Sequence, residues 1–191
     1  MKDRIDLQAN SVEVQALAAG FFRSITTMSP DIRQDVKART GIATCLWEKQ
    51  NDDMDYFTVE QPSVRARILA VEKLVRTKGA GDYSSANTAN ESQLKYPGCV
   101  AIPMSQQTIY VSVSGLKSEE DVALSVLILA YLFKIAPRDV CKIIRQNHGI
   151  LPAEFDDVNH YLYRFVNCWE TYTLIGYYCL FNQNISENNS K

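Results

Sequence analysis

Apolar positions fall at helical spacing from Val12 through Leu17, Ala18, Phe21, Phe22 and Ile25, behind Ser11, a residue suited to cap a helix. The spacing predicts a first helix ending near Met28-Ser29-Pro30. Pro30 then opens a short second helix through Ile32, Val36 and Ala38 to Gly41. Beyond Gly41 the pattern turns to strands. Ile42 to Lys49 and Met54 to Glu60 flank the turn chemistry of Gln50-Asn51-Asp52-Asp53, which predicts a hairpin. Pro62 opens a third helix. Its apolar stripe is read as Val64, Ile68, Val71, Leu74 and Val75, with Arg65, Arg67, Glu72, Lys73 and Arg76 on the other side and Gly79 and Gly81 at its end.

A polar loop follows from Asp82 to Ser92. Cys99 to Met104 and Thr108 to Ser114 predict a second strand pair, and in the latter Ile109, Val111 and Val113 alternate with Tyr110, Ser112 and Ser114. Ser118 is read as the cap of a helix, with Asp121 completing a capping box. Val122 to Lys134 is apolar nearly all round, as in a helix buried on more than one side. Helices opened by Pro137 and Pro152 complete the order α-α-β-β-α-β-β-α-α-α, before a polar tail from Asn182 to Lys191. The expected fold class is α+β. A core domain covers 1–135, a helical extension 136–181 and the tail 182–191.

Bulk composition narrows the function classes. The 191 residues are 46% apolar and 22% charged, so a disordered chain is not expected. Twenty basic against 22 acidic residues give a net charge of -2, which offers no general attraction to nucleic acid. Apolar runs are too short or too interrupted for membrane insertion, and Met1 to Asn10 carries no apolar core of a signal peptide. Five cysteines without a C-x-x-C pair fit a reducing cytoplasm.

The segment Ile109-Tyr-Val-Ser-Val-Ser-Gly-Leu-Lys-Ser-Glu-Glu-Asp-Val-Ala-Leu124 resembles the strand, Val-Ser-Gly turn, acidic pair and helix of the haem-degrading-domain family, the HbpS/GlcG-like proteins. Gly98-Cys-Val-Ala-Ile102 resembles that family's Gly-Gly-x-Pro-Ile strand, with Cys99 and Ala101 replacing the second Gly and the Pro. The resemblance spans about residues 42–134. It implies a profilin-like antiparallel sheet packed with helices, homo-oligomers and, in some members, haem.

Candidate chemistry is sparse. Ser112, Ser114 and Gly115 end a strand just before a helix, where backbone N–H groups can hold an anion or carboxylate; the alternative is a turn satisfied by Ser118, with Glu119, Glu120 and Asp121 repelling an anion. Ser84, Ser85, Asn87, Thr88 and Asn90 can line a pocket or simply face solvent. Arg65, Arg67, Lys73 and Arg76 can grip a propionate or phosphate, or form a solvated helix face. His148 and His160 are the only histidines, with Cys141 seven residues before the first, and no metal site follows from so few ligands. Neither histidine pairs with a nucleophile; Cys99 is the best thiol, and a buried, inert cysteine is its plainer reading. The last helix is aromatic, with Phe165, Trp169, Tyr172 and Tyr177 as a core or a partner-binding face.

These features lead to two expectations. One is a non-catalytic, homo-oligomeric ligand-binding module, with haem as a possible cofactor. The other is a small acidic adaptor or chaperone subunit of a larger complex, such as a secretion system, binding protein partners through its C-terminal aromatic helices.

Overall fold

Two helical layers enclose one antiparallel sheet in a computed structural model that describes residues 4–27, 39–104 and 106–152. In chain order the elements are α1 (Ser11–Thr27), β1 (Gly41–Glu48), β2 (Asp53–Glu60), α2 (Val64–Ala80), β3 (Cys99–Met104), β4 (Gln107–Ser114), α3 (Ser118–Phe133) and α4 (Pro137–Gln146). Short 3-10 turns at Ser85–Thr88 and Glu91–Gln93 interrupt the connection between α2 and β3. The strands lie in the order β2-β1-β4-β3. This is the α+β architecture of an antiparallel sheet packed with helices. The second predicted helix lies mostly in 28–38, and the helix from Pro152 lies beyond 152; both fall outside the described residues.

The sheet is covered on both faces, which explains why β1 and β4 are buried at every position. Ile42, Leu46, Phe57, Val100, Ile102, Ile109, Val111 and Val113 point to one face. There they meet Val14, Leu17, Phe21, Phe22 and Ile25 of α1 and most of α3. Val140, Cys141 and Ile144 of α4, with Leu151, join the same core, so α4 packs as part of this layer. At roughly 25 cal/mol per Å² of apolar surface removed from water, this face supplies most of the driving force for folding.

The other face is built of small and polar groups. Ala43, Cys45, Cys99, Ala101 and Ser112 receive α2, together with Trp47 and Tyr110, whose rings lie 5.3 Å apart. Small side chains on the sheet let the helix come close, and Ser112 Oγ donates to the carbonyl of Ala70 at 2.7 Å. The side of α2 that docks is Ala66, Ala70, Lys73, Leu74 and Thr77. This reverses the expected orientation. Val64, Ile68, Val71 and Val75 of the predicted stripe face outward, and only Leu74 of that stripe is buried. The large apolar residues were read as the inner face because they are the more hydrophobic set; the sheet surface, paved with Ala, Cys and Ser, accepts the small set instead.

The start of α3 also differs from expectation. Its N-cap is Lys117, with Ser118 already in the helix, and Glu120 rather than Asp121 closes the box, accepting the Lys117 N–H at 2.9 Å.

Candidate functional site

A cleft of about 470 Å³ opens where the N-termini of α2 and α3 converge at one end of the sheet. Ser63, Arg65, Ala66, Leu69 and Lys73 come from α2 and its cap, and Ser114 to Glu119 with Asp121 from the β4–α3 junction; Arg39 and Tyr96 complete the lining. Two predicted residues, Ser114 and Gly115, therefore lie in a pocket. Gly115 is needed there: its φ is 131°, and a β-carbon would collide with the carbonyl of Gly41, which crosses directly behind the turn.

The charges of the cleft are unevenly satisfied. Lys73 Nζ donates to Asp121 Oδ2 at 2.8 Å and to the Val113 carbonyl at 2.9 Å, and both side chains are almost wholly buried. Burial pushes the Asp121 carboxyl above the usual carboxylate range, while Lys73 opposes the shift. Arg39 lies 3.4 Å from Glu120 Oε2 and donates to the Gly115 carbonyl, yet its buried Nε has no hydrogen-bond partner. The acidic triplet at the start of α3 is thus largely neutralised from within, and the repulsion expected from it is confined to Glu119. Arg65 donates to the Tyr96 hydroxyl at 3.3 Å and stacks over the same ring, with no carboxylate partner among the described residues. Four cationic side chains against two carboxylates line the cleft.

The other predicted ligand residues do not gather here. Ser112 is buried beneath α2. Ser84 Oγ donates to the Ile150 carbonyl, and Ser85 Oγ accepts the Cys99 N–H. Asn87 donates to the His148 carbonyl and accepts the Ile150 N–H. The predicted polar pocket at 84–87 is therefore a clasp that ties this loop to the turn after α4. Its polarity is used on backbone groups, not held open for a ligand.

The basic set of α2 likewise splits. Arg76 is consumed by Glu72, the Ser85 and Tyr96 carbonyls and Thr88 Oγ1, and Lys73 by Asp121, leaving Arg65 and Arg67 outward. Arg39 and Lys117 of the cleft were missed. A basic residue just before the acidic start of a helix was the available signal for Lys117; Arg39 was absorbed into a predicted helix.

Cys99 is inert in its setting, since burial raises its thiol to about 12. His148 is exposed in the turn that closes α4, while Cys141 is buried in the core, so the two do not form a ligand pair. No group of three His, Cys, Asp or Glu is placed to hold a metal ion among the described residues. The cleft lining contains no histidine, methionine or cysteine; Tyr96 is its one residue of a type that ligates haem iron, and its hydroxyl already accepts from Arg65. His160, Phe165, Trp169, Tyr172 and Tyr177 lie outside the described residues. No helix among the described residues is long and apolar enough to cross a membrane.

No family model matches the chain, and neither a curated protein nor a solved structure does.

Proposed function

We propose that the protein is a non-catalytic binding module that takes a small anion bearing a carboxylate or phosphate in the cleft between α2 and α3. Arg65 carries this reading: a guanidinium without a carboxylate partner among the described residues, at the rim of a cavity large enough for a small molecule. Two features support it. Helix N-termini leave backbone N–H groups that favour negative charge, and two of them converge here. Arg39 adds a second guanidinium with an unused buried N–H. The antiparallel sheet and its helices are compatible with the profilin-like arrangement implied by the resemblance to the haem-degrading-domain family; the ligand proposed here is a simple anion and not a tetrapyrrole.

Calorimetric titration with acetate, succinate and inorganic phosphate tests the reading. Saturable binding of at least one, weakened about tenfold or more by Arg65→Ala, is the expected result, since a charge-assisted hydrogen bond is worth roughly 1.5–3 kcal/mol. Absence of saturable binding by all three, or binding indifferent to Arg65→Ala, overturns it.

A further inference from the structure

The outward face of α2 carries an apolar seam that the described residues leave uncovered. Val64, Ile68, Val71 and Val75 are 71%, 62%, 42% and 57% exposed. They are spaced four, three and four residues apart, the alternation of the inward positions of a two-stranded coiled coil. The seam does not end at the helix. Tyr56, on the neighbouring face of β2, joins Ile68, Val71 and Val75 in lining a groove of about 580 Å³, and Met54, two residues earlier on the same strand face, is 56% exposed. An apolar patch of this continuity is the mark of an interaction surface rather than of scattered surface hydrophobes.

The flanking charges indicate what covers it. Arg67 and Glu72 line the same groove on opposite flanks of the seam. Arg67 has no ionic partner among the described residues, and Glu72, though paired with Arg76 at 2.6 Å, keeps its side chain one-third exposed. In coiled-coil terms they occupy the two flanking positions five residues apart. When two such helices run parallel, each Arg67 falls beside the partner's Glu72, and the contact occurs twice by symmetry. A surface that is apolar along its centre and complementary to itself in charge along its edges fits a second copy of the same chain.

We propose that the protein forms a two-fold homodimer in which α2 packs in parallel against α2 of a second copy, sealing the seam between the two sheets. The groove shares no lining residue with the anion cleft, although Arg65 lies two turns before Glu72 on the same flank of α2.

Sedimentation equilibrium on the full chain tests the proposal, with circular dichroism as the check on folding. The wild-type chain is expected to sediment as a dimer at micromolar concentration, and Ile68→Glu with Val71→Glu as a monomer with unchanged secondary structure. These side chains are exposed in the single chain, so their replacement leaves the core intact. Arg67→Glu is expected to weaken the dimer several-fold, and adding Glu72→Lys to it to restore part of the loss. Val64→Cys is expected to cross-link to itself under mild oxidation, above the background of the wild-type cysteines, because parallel packing places equivalent residues side by side. A wild-type monomer, a dimer unaffected by the paired glutamates, or no cross-link through position 64 in a dimer, each overturns the proposal.

Discussion

Lys73 of α2 and Asp121 of α3, on opposite faces of the sheet, meet at 2.8 Å beside Gly98 at the entry to β3. The contact is possible because the sheet edge is open there. Gly98 has a φ of 138°, and a β-carbon on it would lie 2.5 Å from Lys73 Nζ and 2.7 Å from the Val113 carbonyl. Each charge is further satisfied: Lys73 by Val113, and Asp121 by the Leu116 N–H. The pair bolts the two helical layers together through a gap in the layer between them.

Removing one partner is expected to leave an unpaired buried charge. Lys73→Met and Asp121→Leu should each lower stability by about 3–5 kcal/mol, whereas the Lys73→Met, Asp121→Leu double variant should be less destabilised than the sum of these two single variants by at least about 2 kcal/mol. Urea unfolding of the four chains measures the coupling; additive losses would show that the pair does not act as a unit.

Gly98→Ala attacks the same junction without touching a charge. It imposes a left-handed φ on alanine and crowds both Lys73 and the Val113 carbonyl. The expected loss is about 2 kcal/mol or more. An alanine variant with wild-type stability would mean that the sheet edge relaxes freely around position 98.

How far all this was legible in the sequence varied with the physics of each element. The hairpin of β1 and β2 was readable from turn residues between β-formers, and α3 from a run so apolar that burial on several sides was the simplest account. The face of α2 was not readable. Two periodic sets coexist on it, Val64, Ile68, Val71 and Val75 against Ala66, Ala70, Leu74 and Thr77, and hydrophobicity favours the first. Selecting the second requires knowledge of its receptor, the small-residue floor of Ala43, Cys45, Cys99, Ala101 and Ser112, which is assembled from three strands far apart in the chain. Lys73 was read as solvated for the same reason. Of the cleft, the Ser114-Gly115 turn was legible because strand, glycine and helix start are local; Arg39 and Arg65 join it only through the fold.

The buried thiols make a prediction about alkaline pH. Burial raises Cys45 to about 11 and Cys99 and Cys141 to about 12, from an ordinary value of 9.0. Below pH 9 the thiols are protonated in both folded and unfolded chains and contribute no pH dependence. Above it the unfolded chain releases protons that the folded chain keeps, so stability falls as pH rises from about 9 to about 12, by roughly 1 kcal/mol per thiol at pH 10. Cys99→Ala should show a shallower alkaline decline than the wild-type chain. In native protein at pH 8, iodoacetamide should spare these three positions, as read by peptide mass mapping, and should modify them once the chain is unfolded.

Arg76 organises the connection between α2 and β3. Its guanidinium reaches Glu72, the carbonyls of Ser85 and Tyr96, and Thr88 Oγ1, all from one side chain that is 11% exposed. A lysine ammonium is a point donor and cannot span these acceptors. Arg76→Lys is expected to cost about 1–3 kcal/mol and to speed amide exchange within residues 84–96 more than in β1 or β4. Because Tyr96 lines the cleft proposed to bind an anion, the same variant should weaken any such binding. Uniform exchange changes across the sheet would instead assign Arg76 a general role in the core.

Thr44 offers the opposite sign. It sits at the centre of β1, fully buried, between Phe57 of β2 and Val113 of β4 in register, with Ile42 and Leu46 before and after it on the same face. Its Oγ1 has no hydrogen-bond partner. A hydroxyl removed from water without compensation opposes folding by about 1–3 kcal/mol on mutational scales. Valine has nearly the same shape and a strong preference for strands, so Thr44→Val exchanges an unsatisfied oxygen for a methyl group in contact with Ile42, Leu46 or their neighbours on that face. The expected result is a gain of about 1 kcal/mol and a rise of a few degrees in Tm. A loss of stability in Thr44→Val would instead mean that the hydroxyl is satisfied, and the natural candidate would be a water molecule held within the apolar layer.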